Sequence, residues 1–462
     1  MPKYFGTDGF RGQAGVTLTA HHAFCIGQFL ARHFRQCKHD RSETHSEPED
    51  ARVRAVIGKD TRRSCYMLEY AMAAGLTAGG ADAYMLHVTT TPGVSYVTAT
   101  DGFDVGIMIS ASHNPYSDNG IKLVNGRGEK MEDETLSLIE EELDRIASGE
   151  PLSPPQICGE EIGRIVDYAA GRNRYMAYLI SLSTYSYKGV HVALDCANGS
   201  AWMIARHVFE ALGATVHAIG IEPNGLNINR GVGSTHIEHL AEYVKDCHAD
   251  IGFAFDGDAD RCIAVDEHGN VINGDHILYI LASEMARRGT LTNNTVVTTV
   301  MSNLGLYRAL DQAGIGYVQT TVGDRYIYEN MRQTGNALGG EQSGHVIVKK
   351  YATTGDGILT AILLMDAVLS GKQPLSKLAA PVHMLPQLTV NLSVGDKDAV
   401  MTDAVIQRKL AELSAELGDR GRILLRKSGT EPVVRIMVES EQDTECERIA
   451  EALADVIRER RH

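Results

Sequence analysis

The chain has 462 residues, 44% of them hydrophobic and 22% charged, a composition that excludes disordered, collagen-like and coiled-coil proteins. Its 59 Asp and Glu residues outnumber its 44 Lys and Arg residues, giving a formal charge of −15. Because it also has no basic block, the sequence argues against nucleic acid or an anionic membrane as a partner. An anionic ligand would therefore need positive charge gathered locally. The length predicts about three domains.

The cysteine pattern and the apolar segments predict a soluble, cytoplasmic protein. Eight scattered cysteines contain no C-x-x-C pair, so they fit neither a zinc site nor a disulfide framework and are expected to be reduced thiols. The N-terminal MPKYFGTDGFRG has no apolar stretch of the kind found in signal peptides. The longest apolar run, ILTAILLMDAVL at 358–369, is too short to span a bilayer and predicts a buried helix.

In chain order, short Val- and Ile-rich runs alternate with helix-length segments. VRAVIGKD, then SCYMLEYAMAAGLTAGG, then ADAYMLHV predict strand, helix and strand, the signature of an α/β unit. The pattern occurs three times, and a small α+β pattern follows at the C-terminal end. Pro- and Gly-containing linkers are predicted at 148–163 and 370–387. The predicted domains are 1–150, 160–254, 255–371 and 384–462.

The first segment with chemical potential is DVGIMISASHNPYSDNGIKL at 104–123. A strand-like run ends at Ser110, so Ser112, His113 and Asn114 fall at the carboxyl end of a strand, where open α/β sheets bind ligands. An ordinary turn remains an alternative, because Ser, Asn, Pro and Gly dominate turns. A serine hydrolase is disfavoured, because the G-x-S-x-G elbow is absent.

The second segment is DGDAD, in which Asp256, Asp258 and Asp260 alternate between two strand-like runs. Three carboxylates at this spacing can converge on one hard cation, and all-oxygen ligands favour Mg²⁺ or Ca²⁺ over zinc. An EF-hand is excluded, because Arg261 stands where its sharp turn needs Gly and the flanks are strand-like. A solvated acidic turn is the alternative.

Two further loops could bind phosphate and sugar. RKSGT places Arg426, Ser428, Gly429 and Thr430 in a short loop between strands, a set that suits a phosphate although it is not a P-loop. GEQSGH offers groups that suit sugar hydroxyls, namely Glu341, Ser343 and His345. Taken singly, each loop is also compatible with an ordinary polar turn.

Together and in this order, the four motifs resemble the α-D-phosphohexomutase family over essentially the whole chain. The resemblance implies mixed sheets in three similar α/β domains and a smaller α+β domain around a central active-site cleft. It also implies that Ser112 is the catalytic phosphoserine, that DGDAD holds one Mg²⁺ together with Ser112, that GEQSGH binds the sugar and that RKSGT binds phosphate. The remaining roles that it implies are catalytic for Lys122, His345, Arg11 and Arg261, and phosphate-binding for Arg435.

Two single positions, which are less specific than the four motifs, indicate the substrate within the family. Relatives acting on glucose or mannose phosphates usually carry His where Asp324 stands and Met where Gln342 stands. The resemblance thus implies an intramolecular phosphotransferase that interconverts glucosamine 6-phosphate and glucosamine 1-phosphate through a bound 1,6-bisphosphate, feeding UDP-N-acetylglucosamine and cell-wall synthesis. It leaves open a homodimer and activation of Ser112 by a kinase or a bisphosphate. Three alternatives stay open: a glucose or mannose phosphate mutase, a non-catalytic phosphosugar-binding protein and a phosphatase.

Overall fold

A computed structural model describes residues 3–6, 8–44, 52–150, 157–428 and 432–460, with the backbone alone for 41–44. The chain divides into two units. The first comprises residues 1–300 and 318–379, and the second comprises residues 301–317 and 380–462.

The N-terminal part of the first unit is built on a seven-stranded mixed sheet. Its strands are β1 (Phe5–Gly6), β2 (Gly9–Gln13), β3 (Arg54–Lys59), β4 (Asp82–Val88), β5 (Val105–Ile109), β6 (Asp118–Asn125) and β7 (Ile165–Asp167). Their order is β1-β2-β6-β5-β3-β4-β7, with β3, β4, β5 and β7 parallel and β6 antiparallel to β5 and β2. The helices are α1 (Ala20–Thr44), α2 (Arg63–Ala78), α3 (Thr91–Thr100) and α4 (Asp133–Ala147). Strand β5 is buried throughout, as expected for an interior strand covered on both faces.

A second mixed sheet follows. Its strands are β8 (His191–Asp195), β9 (Thr215–Ile219), β10 (Ile251–Phe255), β11 (Cys262–Val265) and β12 (Val271–Ile272), in the order β12-β11-β10-β8-β9. The helices of this region are α5 (Ala169–Leu182), α6 (Ala201–Ala211) and α7 (Ile237–Asp246). The sheet continues past the boundary predicted between residues 254 and 255, because β11 pairs antiparallel with β10 and β12 with β11.

A third mixed sheet completes the α/β series. Its strands are β13 (Thr295–Thr299), β14 (Gly316–Thr320), β15 (Leu338–Gly340) and β16 (Val346–Val348), in the order β14-β13-β15-β16. The helices are α8 (Gly274–Arg287), α9 (Leu304–Gln312), α10 (Asp324–Thr334), α11 (Gly357–Gly371) and α12 (Leu375–Ala379). Helix α11 contains the apolar run at 358–369, and most of it is buried, as predicted. No helix in the described ranges combines the length and apolar character needed to cross a membrane.

The C-terminal part of the second unit is a three-stranded antiparallel sheet with helices. Its strands are β17 (Gln387–Ser393), β18 (Arg422–Lys427) and β19 (Val433–Glu439), in the order β17-β19-β18. Its helices are α13 (Lys397–Thr402), α14 (Ala404–Leu417) and α15 (Asp443–Arg460). Short 3₁₀ turns lie at Gly159–Glu161, Thr292–Asn294 and Gly418–Arg420. The predicted fold class, three α/β domains with mixed sheets and a smaller α+β domain, is confirmed.

Candidate active site

Ser112 lies just after β5, at the carboxyl end of that strand, and is 1% exposed. Its hydroxyl donates a hydrogen bond to Asp256 Oδ2 at 2.5 Å, so two segments 144 residues apart in sequence meet. The neighbouring His113 places Nδ1 3.3 Å from the same hydroxyl. Burial, together with the charges of Arg261 and Arg11, lowers the pKa of His113 to about 4, so its ring is neutral at pH 7.

The three aspartates predicted to bind metal occupy the turn between β10 and β11. Asp256, Asp258 and Asp260 are all buried, and one carboxylate oxygen from each lies within 4.8 Å of the others. Ala259, inside this turn, has a φ of 57°. That left-handed conformation carries a steric cost for any residue with a Cβ, so the surrounding turn must hold it.

These carboxylates fit a divalent cation. Asp258 Oδ1 and Asp260 Oδ1 are buried and accept no hydrogen bond from the described residues. Burial, followed by the charges of Asp260 and Asp258, raises the pKa of Asp256 well above its usual range. Unsatisfied buried carboxylate oxygens are costly without a counter-ion, so the cluster can hold a metal ion.

Lys122 extends from β6 to the same cluster. Its ammonium donates to Asp258 Oδ2 at 2.8 Å and to Asp260 Oδ2 at 3.2 Å, and it lies 3.0 Å from Asp8 Oδ2. Burial by itself would lower the pKa of Lys122, but these three carboxylates outweigh it and raise the pKa well above the usual value. Lys122 is therefore a buried cation at neutral pH.

Two arginines add positive charge. Arg11, on β2, pairs with Asp8 and donates to Asn114 Oδ1 at 3.4 Å. Arg261 follows the aspartate turn, with Nε 3.9 Å from Asp260 Oδ1. Burial opposes the charge of Arg261, but the carboxylates of Asp260 and Asp256 prevail and raise its pKa. The structure thus brings both arginines to the cluster.

Three charged residues of this site were not predicted as site residues. Asp8 accepts from Lys130 at 3.2 Å, and Lys130 also donates to Asp324 at 2.8 Å. Burial raises the pKa of Asp8, but Lys122, Lys130 and Arg11 outweigh it and hold the pKa well below the usual range. The spacing of Asp8, three residues before Arg11, is a usable signal in the sequence, whereas Asp324 is distinguished there only as a marker of substrate preference. Nothing in the sequence around Lys130 indicated its role.

His345 is the last residue of the loop between β15 and β16 and is 3% exposed. Its Nδ1 lies 3.8 Å from Asp260 Oδ1, and its Nε2 lies 3.4 Å from Asp324 Oδ2. Burial lowers the pKa of His345, but Asp324, Asp260 and Glu341 raise it to about 9. The Gly355 N–H donates to Nε2 at 3.0 Å, a bond that requires an unprotonated nitrogen. Full protonation of the ring would therefore break the Gly355 contact.

The same loop carries the predicted sugar-binding residues. Ser343 Oγ donates to Glu341 Oε2 at 3.3 Å, and the Gly323 N–H donates to Glu341 Oε1 at 3.1 Å. Main-chain bonds attach the loop to the second sheet, since the Cys262 N–H donates to Gly344 O at 3.0 Å. Glu341 and Ser343 are both partly exposed.

In the second unit, Arg426 and Arg435 lie directly opposite each other on β18 and β19. Burial and the neighbouring charge of Arg435 lower the pKa of Arg426, whose Nε donates to no described residue. Ser428 is 3% exposed, and its carbonyl accepts from Lys397 Nζ at 2.8 Å. Two facing guanidinium groups are suited to an anion. Gly429 and Thr430 lie outside the described residues.

Comparison with known proteins matches the chain to one family along its length. The models "Phosphoglucomutase/phosphomannomutase, alpha/beta/alpha domain" I, II and III match residues 2–150, 173–269 and 273–384, and the corresponding "C-terminal domain" matches residues 390–456. Proteins named phosphoglucosamine mutase are similar throughout. The one from Lachnospira eligens is 56% identical, covering 99% of each chain, and the one from Bacillus subtilis is 46% identical, also covering 99% of each.

Solved structures share the fold. A phosphoglucomutase/phosphomannomutase family protein from Burkholderia thailandensis superposes with a TM-score of 0.79 at 25% identity, covering 99% of this chain and 98% of that one. Aspergillus fumigatus N-acetylphosphoglucosamine mutase, solved in complex with GlcNAc-6P and magnesium, gives a TM-score of 0.68 at 17% identity, covering 100% and 96%. The motif order, the four domain matches and the full-length relatives agree, and the chain belongs to the phosphoglucomutase/phosphomannomutase family, the α-D-phosphohexomutases.

Proposed function

We propose that this protein is a phosphoglucosamine mutase, which interconverts glucosamine 6-phosphate and glucosamine 1-phosphate. One observation carries the proposal: the Ser112 hydroxyl lies 2.5 Å from Asp256 inside a cluster of three buried carboxylates suited to a metal ion. A nucleophile and a charge-neutralising site therefore meet. Full-length relatives of that name, 46% to 56% identical, support the choice of substrate.

Turnover would begin with a phosphoryl group on Ser112 Oγ. The bond from phosphorus to Oγ breaks while a bond forms to O1 of glucosamine 6-phosphate. The O1 proton passes to a base of the site, and Oγ ends the step protonated. The bound 1,6-bisphosphate then reorients, the bond from phosphorus to O6 breaks as a bond to Oγ forms, the Oγ proton passes to a base of the site and O6 gains a proton, leaving glucosamine 1-phosphate.

Charged side chains of the site would neutralise the transferred phosphoryl group and orient the substrate. Lys122, Arg11 and Arg261 stabilise negative charge on the transferred group, since phosphoryl transfer depends mainly on positioning and electrostatics. We assign proton transfer to His345. Asp256, Asp258 and Asp260, with a phosphoserine oxygen, would hold one Mg²⁺, which when bound neutralises the phosphoryl oxygens. Phosphoserine adds about −1.5 to −2 charge, so a divalent ion would balance it.

Substrate binding would use the two remaining loops. Glu341 and Ser343 contact sugar hydroxyls, while the facing guanidinium groups of Arg426 and Arg435 support a phosphate site. The other members of the proposed phosphate site are Ser428, Gly429 and Thr430.

The ratio of kcat/KM for glucosamine 1-phosphate over glucose 1-phosphate tests the substrate. We expect a ratio well above one, and a ratio below one would favour the family's glucose or mannose phosphate mutases. Ser112→Ala should abolish turnover with the fold intact, and wild-type turnover in that variant would refute the phosphoserine. A non-catalytic phosphosugar-binding protein would show no phosphate on Ser112 by mass spectrometry, even after incubation with a hexose 1,6-bisphosphate.

We also propose that the enzyme is a cytoplasmic homodimer, activated by a kinase or a hexose 1,6-bisphosphate. Helix α2 exposes Tyr66, Met67 and Tyr70, an apolar face of the kind that a second copy would cover. Light scattering at micromolar concentration tests the dimer, and Tyr70→Glu should shift it to monomer. A monomeric wild-type mass would refute it.

A further inference from the structure

The backbone of Ser112 is held in an unusual conformation. Its φ is 52°, in the left-handed region that residues with a side chain rarely adopt. The residue is also buried, so its main-chain N–H and C=O cannot rely on water. Specific partners must hold this peptide, and they lie outside the groups assigned to the reaction above.

On the N–H side, the partner is a relay to a buried carboxylate. The Ser112 N–H donates to Ser110 Oγ at 2.9 Å, and Ser110 Oγ donates to Asp60 Oδ2 at 2.7 Å. The side chain of Asp60 is fully buried. The amide is thus attached, through Ser110, to Asp60, which directly follows β3.

On the C=O side, two donors reach the same pair of carbonyls. Arg62 Nη2 donates to Ser112 O at 3.2 Å and to Asn114 O at 2.6 Å. Asn229 Nδ2, from a loop beyond β9, donates to Ser112 O at 2.8 Å and to Asn114 O at 3.0 Å. Each carbonyl therefore has both of its lone pairs occupied.

Arg62 also contacts Asp60, the carboxylate that holds the Ser112 N–H through Ser110. Its guanidinium is fully buried and pairs with Asp60, so the ion pair adds no net charge behind the serine. On the facing side, a Cβ at Gly257 would lie 2.5 Å from Ser112 O, which leaves the peptide no room to slide. These contacts hold the Ser112 main chain on each side, and its side-chain hydroxyl donates to Asp256.

We infer that Arg62 and Asn229 are positioning residues, which clamp the Ser112 main chain so that Oγ occupies one place whether or not it carries a phosphoryl group. The inference rests on the proposed function of Ser112. That reaction frees and reloads Oγ in each cycle, while the clamp acts on carbonyls that phosphorylation does not alter. A displacement of about 1 Å in a reacting atom can lower the rate about 100-fold.

Asn229 gives the sharper test, because its own φ is 58°. Asn229→Gly removes the donor and keeps this backbone conformation without strain. Asn229→Asp keeps the shape but faces two carbonyls with an acceptor. We expect kcat to fall about 10- to 100-fold in both variants, with KM within about 3-fold of wild type. The rate at which a hexose 1,6-bisphosphate phosphorylates Ser112, monitored by mass spectrometry, should fall in the same two variants.

Asn224→Asp is the matched control. Asn224 is exposed in the same loop and accepts from the Leu226 N–H, so this variant should keep wild-type kcat. Arg62→Lys retains a positive charge but offers one nitrogen, where Arg62 uses Nη1 for Asp60 and Nη2 for the two carbonyls, and it should lose kcat as the Asn229 variants do. Wild-type kcat in both Asn229 variants would overturn the clamp, as would an activity loss explained by a smaller folded fraction in thermal unfolding. A wild-type enzyme without mutase turnover or phosphate on Ser112 would instead overturn the proposed function, and the clamp with it.

Discussion

The ammonium of Lys122 lies 2.8 Å from Asp258 Oδ2, and both side chains are buried. The two residues come from different sheets, so this contact attaches the aspartate turn to the strand beside the Ser112 loop. A buried ion pair whose two members are both hydrogen-bonded holds its charges in a fixed position. Phosphoryl transfer depends on such preorganised charge. The same pair makes the site sensitive to loss of either partner.

Lys122→Met should therefore lower both stability and turnover. Removing one member of a buried ion pair leaves an uncompensated charge, which costs about 3 to 5 kcal/mol. Urea unfolding of the metal-free protein measures the loss. Lys245→Met, at an exposed position near the end of α7, should change stability by less than about 0.5 kcal/mol. Equal stabilities for the two variants would contradict the buried pair.

Metal binding should stabilise the fold. Mg²⁺ at about 100 times its Kd should add about 2.7 kcal/mol to the free energy of unfolding, because the ion binds the folded cluster and not the open chain. EDTA should abolish both this increment and mutase turnover. Asp256→Asn should weaken the Mg²⁺-dependent rise in Tm, which scanning calorimetry measures. A rise of the same size in that variant would mean that the ion binds elsewhere.

The left-handed backbone at Ser112 gives a prediction independent of catalysis. Ser112→Gly should be more stable than Ser112→Ala by about 1 kcal/mol, because glycine adopts positive φ without the steric cost of a Cβ. Denaturant titration of the two variants provides the comparison. At Ser148, where φ is −76°, the order should reverse. Finding Ala the more stable substitution at position 112 would exclude the left-handed conformation.

Asp356 should make stability depend on pH. Burial, opposed in part by the Leu359 N–H and the Tyr175 hydroxyl, raises its pKa to about 6. The folded state therefore favours the protonated acid. The stability that this group contributes is present below about pH 4 and is lost as pH rises through 6.

Asp356→Asn removes this dependence, because the amide stays neutral. The stability of the variant relative to wild type should rise by up to about 3 kcal/mol between pH 4 and pH 7. Urea titrations across that range measure it. A constant difference would show that Asp356 is ionised throughout in the folded protein.

Arg426→Ala should weaken phosphate binding. Because Arg426 faces Arg435, the free protein carries two close like charges that an anion would neutralise. We expect kcat/KM to fall about 10- to 100-fold, mainly through KM, and stabilisation by inorganic phosphate to decrease. Arg420→Met, which removes the partner of Glu445 in the same unit, is the control and should leave both unchanged. An unchanged kcat/KM for Arg426→Ala would contradict the assigned role.

Local patterns in the amino-acid sequence are sufficient to predict the fold class and the principal loops. Alternation of strand and helix patterns depends on local periodicity, and motifs such as DGDAD and GEQSGH keep their chemical groups within a few residues. The contact of Ser112 with Asp256 was reached only through family resemblance, since nothing local relates positions 112 and 256. That β11 and β12 belong to the second sheet could not be predicted, because an apolar run does not indicate which sheet it joins.

The charge network and the clamp, by contrast, arise from long-range packing. Asp8, Lys130 and Asp324 meet because the chain brings together three segments that are distant in sequence, and each residue alone is an ordinary charged side chain. Arg62 and Asn229 converge on the Ser112 carbonyl from separate segments. The positive φ of Ser112 and Ala259 is likewise imposed by the surroundings against local preference. Local composition encodes which groups are available, whereas long-range packing sets their distances, protonation and backbone geometry.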